Sequence, residues 1–117
     1  MEENKLECPV ATAVSLFGTK WKAQIIRDLI ESKNTSIRFS EFKNTIPNIS
    51  DRMLSQSLKE LEKDQLIKRT LVDASPPRAE YSLTEMGENL SKVLLDLYNW
   101  GKEYQDRYMK EGDVENE

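Results

Sequence analysis

The residues whose types and spacing best suit chemistry lie in the stretch 50–64, SDRMLSQSLKELEKD. Five polar side chains recur there at the spacing of one helix face: Arg52, Ser55, Gln56, Lys59 and Lys63. Arginine is a planar fork of donors, glutamine presents a donor beside an acceptor, and serine does both. Such a face can hydrogen-bond to base edges and phosphate oxygens. It can equally be a solvated face, and for this helix taken alone we favour the solvated face.

The opposite face of the same stretch is apolar. Leu54, Leu58 and Leu61 follow at i, i+4 and i+7 and would face a core. Ser50 is a suitable N-cap, because its hydroxyl can accept a hydrogen bond from a first-turn N–H. Asp51 follows where the helix dipole favours an acid. The stretch therefore predicts a two-faced helix, and its neighbours decide what the polar face meets.

Composition excludes several function classes. The 117 residues fit one domain, and 38% hydrophobic with 32% charged residues is typical of a globular protein. Histidine is absent from the sequence, which removes the commonest general base and metal ligand. We therefore expect no enzyme, no cofactor and no metal site. No apolar run could span a membrane, the start is unlike a signal peptide, and one cysteine cannot form an internal disulfide, so we expect a cytoplasmic protein without a membrane partner.

Charge is unevenly distributed along the chain. The net charge is −4, but residues 19–78 hold twelve basic and eight acidic side chains, whereas 79–117 hold four and ten. A basic middle allows a local nucleic-acid surface on an acidic protein. Chance clustering is an alternative explanation of so small a difference.

Three helices are predicted before the central one. Pro9 suits a first helical turn, and Thr19 can cap a second helix. A brief strand is expected at 37–39, followed by a third helix that Ser40 caps and Pro47 ends. The third helix, a short turn and the central helix form a helix-turn-helix pattern, which proteins that do not bind DNA also contain.

Basic side chains of the second helix are expected to be exposed. These are Lys20, Lys22 and Arg27. Lys20 and Lys22 could contact phosphate or simply solvate the surface, and the sequence favours neither interpretation.

Beyond the central helix the pattern changes to that of strands. Residues 66–72 and 79–83 predict a hairpin around the proline-containing loop 73–78. A hairpin directly after a helix-turn-helix indicates a winged helix. Arg78, placed at the tip, could enter a minor groove or hold phosphate, or could be an ordinary loop arginine.

The last helix is predicted to start after Thr84 and to extend to about Lys110. Its apolar stripe is longer than one small core can cover, so its outer turns are expected to pack on another subunit. The stripe consists of Leu90, Val93, Leu94, Leu97, Trp100, Gly101, Tyr104 and Tyr108. We expect a single domain over 8–110, between a flexible 1–7 and a disordered acidic tail at 111–117.

Taken together, these motifs resemble the HxlR family of MarR-related transcriptional regulators. The resemblance is carried by CPV, GTKW, RFSEF, IPNISDRMLSQSLKELEKDQLIKR, PPRAEYSLTEMG and a late WG, in that order. It implies a mainly α fold with a small β-hairpin wing, forming a homodimer through its terminal helices. It also implies sequence-specific binding to operator DNA. Because a two-fold dimer presents two central helices, we expect the operator in double-stranded DNA to be an approximate inverted repeat.

The resemblance also implies roles for individual residues. Side chains at the positions where the family meets DNA are Arg52, Ser55, Gln56, Lys59 and Arg78, and we add Lys20 and Ser50 to the expected contacts. The expected dimer interface comprises Leu94, Leu97, Trp100, Gly101, Tyr104 and Tyr108.

Cys8 matches an N-terminal cysteine that senses oxidants or electrophiles in some family members. The alternative is a buried, inert thiol. Family members often have glycine where Asn48 and Gln65 stand; asparagine tolerates a positive φ, and glutamine does so with about 1 kcal/mol of strain.

Two other classes of function compete with DNA binding. Winged helices also bind proteins, and a protein-interaction module would need neither Arg52 nor Arg78. A binder of small molecules, with Trp21 and Trp100 lining a pocket, is the third interpretation, although these aromatics fit a core and an interface better. A small-molecule or oxidant effector is the expected regulatory partner.

Overall fold

A computed structural model describes residues 8–32 and 36–109. The predicted flexible N-terminus at 1–7 and acidic tail at 111–117 lie outside the described residues. The elements follow in the order α1 Pro9–Phe17, α2 Lys20–Glu31, β1 Ile37–Arg38, α3 Phe39–Thr45, α4 Asp51–Lys63, β2 Ile67–Val72, β3 Arg78–Leu83 and α5 Glu85–Tyr108. This is the expected mainly α fold with a small antiparallel sheet and a hairpin wing.

The core is built where α2, α3 and α4 meet the base of the hairpin. Its members are apolar side chains that are almost wholly removed from water: Ile25, Ile26, Leu29, Phe42, Ile46, Ile49, Leu54, Leu58, Leu61, Leu66, Ile67 and Tyr81. The leucine stripe of α4 is therefore the buried face that the sequence predicts. Truncating one of these leucines to alanine would cost about 2–5 kcal/mol, since it removes apolar contact and leaves a cavity.

The sheet has the strand order β1-β3-β2, and both pairings are antiparallel. Strand β2 pairs with β3 along its length, from Ile67 opposite Leu83 to Val72 opposite Arg78. The two-residue β1 pairs with the other edge of β3, where Ile37 lies opposite Tyr81. The wing is therefore attached to the helical body through β1, which runs directly into α3.

Local hydrogen bonds fix the starts of three helices as the sequence predicts. The hydroxyls of Thr19, Ser50 and Thr84 accept N–H groups from the first turns of α2, α4 and α5. The start of α3 differs from the prediction that Ser40 caps it. The helix begins at Phe39, and the Glu41 carboxylate accepts the Arg38 N–H at 2.8 Å.

Among the described residues, two other than glycine adopt positive φ: Asn48 at 68° and Gln65 at 66°. Asn48 lies in the turn between α3 and α4, and Gln65 lies between α4 and β2. Both are positions where the left-handed conformation lets the chain reverse sharply after a helix. The turn geometry expected at these two positions is present.

The start of α5 approaches the end of the α4–β2 connection closely. Thr84 donates its N–H to the Leu66 carbonyl at 3.1 Å and its hydroxyl to the Gln65 carbonyl at 2.7 Å. A Cβ built at Gly87 would lie 2.2 Å from the Leu66 carbonyl oxygen. Glycine is required there because any side chain would collide with backbone. In the part of the chain that the structure describes, no helix has the length and apolar character to cross a membrane.

Candidate DNA-binding surface

The polar face of α4 carries the predicted base-reading side chains on one surface. Arg52, Ser55, Gln56 and Lys59 line, together with Glu60, a shallow depression of about 330 Å³. Ser55 is partly buried, and the other three of the predicted set are exposed. The structure therefore brings together donors and acceptors on the second helix of a helix-turn-helix, the element that enters the major groove in proteins of this type.

Ser50 lies at the end of this face, but its hydroxyl has a structural role. Its Oγ accepts the Met53 N–H at 3.0 Å and so caps α4. The hydroxyl hydrogen remains a donor for a phosphate oxygen. Ser50 thus fits a backbone contact better than a base contact.

The two lysines at the start of α2 have different environments. Lys20 is exposed, and its ammonium lies 4.7 Å from the centroid of the Trp21 ring. Lys22 was predicted to be exposed, and this prediction is wrong. Its side chain is only 10% exposed, and its Nζ lies 2.8 Å from Oε1 of Glu60 on α4. Lys20 remains a candidate phosphate contact, and Lys22 does not.

Glu60 is a residue of this surface that sequence reasoning missed. Besides pairing with Lys22, its Oε2 accepts a hydrogen bond from Nε2 of Gln56 at 3.2 Å. Hydrogen bonding from Lys22, and then from Gln56, holds the pKa of the Glu60 carboxyl below its usual range. The i, i+4 spacing of Gln56 and Glu60 could have revealed half of this arrangement, but the contact with α2 required the tertiary fold.

Arg78 differs from the prediction in its place within the wing. It is the first residue of β3, paired with Val72, and lies just after the loop. Its Nε lies 3.5 Å from the Glu80 carboxylate, which also accepts a hydrogen bond from the Ser36 hydroxyl at 2.9 Å. Arg78 is 44% exposed and so can reach DNA, but a contact with DNA would compete with its ion pair with Glu80.

The outer part of α5 exposes a ribbon of apolar and aromatic side chains. Leu94 packs partly against the core, whereas Leu97, Trp100, Tyr104 and Tyr108 are 45–64% exposed. Trp100 stacks on Tyr104 with ring centroids 5.5 Å apart, and Tyr104 contacts Tyr108 at 5.1 Å. A Cβ at Gly101 would meet no atom within 4 Å. This aromatic ribbon is the surface that the sequence predicts for dimerisation.

The two tryptophans of the small-molecule interpretation have separate roles. Trp21 packs against the core, and Trp100 belongs to the aromatic ribbon. A largely apolar groove of about 400 Å³ lies between α2 and α5, and Ile30, Leu94 and Tyr98 are among the residues that line it. Its volume falls in the range of small-molecule sites. A small-molecule effector therefore stays a candidate beside an oxidant.

Cys8 is an exposed free thiol at the N-cap of α1. The backbone N–H groups of Ala11 and Val10, in the first turn of α1, favour the thiolate and lower the pKa of the thiol. The expectation of a buried thiol is therefore wrong, and the reactivity of Cys8 stays a prediction. An accessible thiol with a lowered pKa is the form that reacts with oxidants.

Comparison with known proteins connects this geometry to a family. The HxlR-like helix-turn-helix family matches residues 16–109. The HTH-type transcriptional regulator YdeP of Bacillus subtilis is 44% identical over 103 residues, which cover 88% of this chain and 78% of YdeP. The redox regulator HypR in its reduced form is 36% identical, with a TM-score of 0.78 over 85% of this chain and 95% of HypR.

A second solved structure of a transcriptional regulator is also similar to this chain. The reduced form of the transcriptional regulator YodB from B. subtilis is 33% identical, with a TM-score of 0.71 over 90% of this chain and 97% of YodB. The residues that match the HxlR-like family, 16–109, include all of α2–α5 and hence the whole helix-turn-helix and wing. The chain belongs to the HxlR-like helix-turn-helix family of winged-helix transcriptional regulators.

Proposed function

We propose that the protein regulates transcription by binding, as a homodimer, an operator of approximately inverted-repeat sequence. The observation that carries this proposal is the polar face of α4. It presents Arg52, Gln56 and Lys59 to solvent on the second helix of the helix-turn-helix. The net acidity of the chain does not oppose this role, because basic side chains predominate in the segment that includes α4 and the wing.

The exposed side chains divide into two kinds of DNA contact. Arg52 and Gln56 can each make paired hydrogen bonds to a base edge, worth about 1–3 kcal/mol of discrimination. Lys59, Lys20 and Arg78 suit phosphate oxygens or a narrow minor groove, and Ser55 can serve either purpose. In a two-fold dimer the two α4 helices would enter successive major grooves, roughly 34 Å apart.

The aromatic ribbon of α5 supports the dimer. A monomer that left Leu97, Trp100, Tyr104 and Tyr108 in water would expose a continuous apolar surface, which soluble proteins generally cover. Val14 of α1 is also 53% exposed. The proposed interface joins α5 of one subunit to α5 and α1 of the other.

Cys8 is the residue through which the regulator would respond to oxidants. Its thiolate attacks a peroxide oxygen, the O–O bond breaks, hydroxide leaves, and the sulfur becomes a sulfenic acid. The chain has one cysteine, so a disulfide that the sulfenic acid forms, with loss of water, joins Cys8 to a thiol of another molecule. That thiol is either a small cellular thiol or Cys8 of a second copy.

Titration of labelled duplexes tests the DNA-binding function. Wild type, Gln56→Ala and Arg78→Ala are measured by fluorescence anisotropy against the DNA flanking the gene and a scrambled duplex, at two salt concentrations. Gln56→Ala should weaken operator binding by about 1–3 kcal/mol and leave scrambled DNA unaffected. Arg78→Ala should weaken both and reduce the salt slope by about one.

Lys92→Ala is the matched control, because it removes a positive charge from the exposed surface of α5. It should change neither the operator preference nor the salt slope. Operator binding by Gln56→Ala equal to that of wild type would refute the base-reading role. If the wild type prefers no duplex, the protein is instead a winged-helix module that binds other proteins.

A further inference from the structure

Glu60 connects a buried lysine to a base-reading side chain. One carboxylate oxygen lies 2.8 Å from Nζ of Lys22 on α2, and the other accepts a hydrogen bond from Nε2 of Gln56 at 3.2 Å. Lys22 is nearly buried, whereas Gln56 is exposed on the predicted DNA-contacting face. The carboxylate therefore joins the interior of the helical body to the surface that would meet DNA.

This arrangement fixes which end of the Gln56 amide can face outward. An ionised carboxylate accepts hydrogen bonds and donates none, so only the NH₂ end of the amide can face Glu60. Lys22 favours the ionised form of the carboxyl, and its Nζ lies 2.8 Å from Oε1 of Glu60, so the ion pair holds the carboxylate beside α2. The Gln56 carbonyl oxygen consequently faces away from Glu60, and one amide hydrogen is already engaged.

The orientation of the amide decides which bases it can read. In the major groove, adenine presents its N6 amino group and cytosine its N4 amino group, whereas guanine presents two acceptors and thymine one. An outward carbonyl oxygen accepts from an amino group, and the second amide hydrogen can reach N7 of the same adenine. A freely rotating glutamine could instead turn its NH₂ outward and donate to guanine.

We propose that Glu60 determines base specificity by holding Gln56 so that it selects adenine or cytosine over guanine and thymine at the base it reaches. Lys22 is the positioning residue that anchors Glu60. The inference rests on the proposed function, since it concerns how the same α4 face reads an operator. It adds two residues that need not touch DNA to the determinants of the target sequence.

This inference is tested with a series of operator duplexes. Each position of the half-site carries each of the four base pairs in turn. Gln56→Ala first identifies the position that Gln56 reads, as the one where the preference of the wild type disappears. There the wild type should prefer adenine or cytosine by about 10-fold or more, and tenfold corresponds to about 1.4 kcal/mol. Glu60→Gln should reduce this preference to below about 3-fold, because a neutral amide at 60 lets Gln56 turn either way.

The matched control is Glu62→Gln, which removes the same charge from an exposed position of α4. Both variants should bind all duplexes somewhat more tightly, but only Glu60→Gln should change the preference. The double variant Lys22→Met with Glu60→Gln avoids leaving the lysine unpaired and serves if the single variant folds poorly. It should show the same relaxed preference.

Three results would overturn the inference. An unchanged preference in both Glu60→Gln and the double variant would show that Glu60 does not orient Gln56, even though the protein reads DNA. A wild-type preference for guanine or thymine at the identified position would show that the amide faces the other way. Absence of any base preference in the wild type would refute the proposed function itself, and the inference with it.

Discussion

Lys43 of α3 and Asp51, the first residue of α4, form an ion pair with their charged atoms 3.0 Å apart. The same ammonium donates a hydrogen bond to the Ile49 carbonyl, 2.5 Å away in the turn between the helices. One side chain therefore holds both ends of the turn that orients α4. The hydrogen bond is the stronger contribution, since Asp51 is 79% exposed and its ion pair is screened by water.

Replacing Lys43 should separate these two contributions. Lys43→Met should lower the free energy of unfolding by about 1–2 kcal/mol, because the Ile49 carbonyl loses a charged donor. Asp51→Asn, which retains that donor, should cost below about 1 kcal/mol and should cost less as salt is added. Urea unfolding followed by circular dichroism measures both. Equal losses in the two variants would assign the stabilisation to the ion pair instead.

The positive φ of Gln65 predicts a stabilising substitution. Gln65→Gly should raise the free energy of unfolding by about 0.5–1 kcal/mol, because glycine adopts φ near 66° without the clash that a Cβ makes. Gln105→Gly, within α5, should lower it by about 1 kcal/mol, since the same change there only adds disorder to the unfolded chain. A thermal melt in which both variants shift in the same direction would contradict this prediction.

Gly87 and Gly101 should respond oppositely to the same added methyl group. Gly87→Ala forces a Cβ against the Leu66 carbonyl and should destabilise the fold by about 1–3 kcal/mol. Gly101→Ala meets open space within one subunit and should stabilise α5 by about 0.5–1 kcal/mol. Unfolding is measured with Leu97→Glu also present, so that subunit association does not contribute. A neutral Gly87→Ala would mean that the start of α5 can shift away from Leu66 in the α4–β2 connection.

The aromatic ribbon predicts a charge-sensitive dimer. Leu97→Glu or Tyr104→Glu should give monomers at micromolar concentration, because dimerisation would then bury an unpaired carboxylate. Lys102→Glu introduces the same side chain at an exposed position outside the ribbon and should leave the dimer intact. Sedimentation velocity distinguishes these states. A monomeric wild type, or equal effects of Leu97→Glu and Lys102→Glu, would remove the case for this interface.

Cys8 should react with iodoacetamide at lower pH than an ordinary thiol. The α1 N–H groups lower the pKa of its thiol in the folded chain, so the alkylation rate should rise through an inflection below that of the same protein in urea. At neutral pH the folded protein should therefore contain more thiolate and react faster. An oxidant should then change operator affinity in wild type and not in Cys8→Ser. Coincident pH profiles for folded and unfolded protein would show that α1 does not activate the thiol.

The sequence predicted those features whose causes are local. Ser50 and Thr84 cap helices through hydrogen bonds within one turn, so their roles follow from neighbouring residues alone. The leucine stripe of α4 likewise required only its period. The burial of Lys22, in contrast, has a cause that is not local. Lys22 was assigned to the surface because lysines usually lie there, and its burial depends on Glu60, which is distant in sequence and lies beside it only after α2 packs on α4.

Arg78 and Ser40 illustrate a second limit, the exact ends of elements. The sequence placed Arg78 in the loop, but pairing with Val72 extends β3 by one residue and brings Arg78 beside Glu80. Ser40 was a reasonable cap by residue type. The chain instead passes directly from β1 into α3, and Glu41 satisfies the N–H of Arg38. Strand pairing decides both boundaries: across the hairpin for Arg78, and between β1 and the distant β3 for the start of α3.

The short strand β1 gives the wing two parts of unequal stiffness. At Glu80 and Tyr81, β3 is paired with both β1 and β2, whereas towards the loop, at Ala79 and Arg78, it is paired with β2 alone. Because β1 continues into α3, the stiff part keeps a constant distance from α4. In the proposed complex, α4 would be held rigidly relative to the base of the wing, whereas Arg78, at the less supported end of the wing, could move. Duplexes whose helical repeat does not match the separation between α4 and the wing would be rejected. Movement of Arg78 would accommodate small variations in groove width.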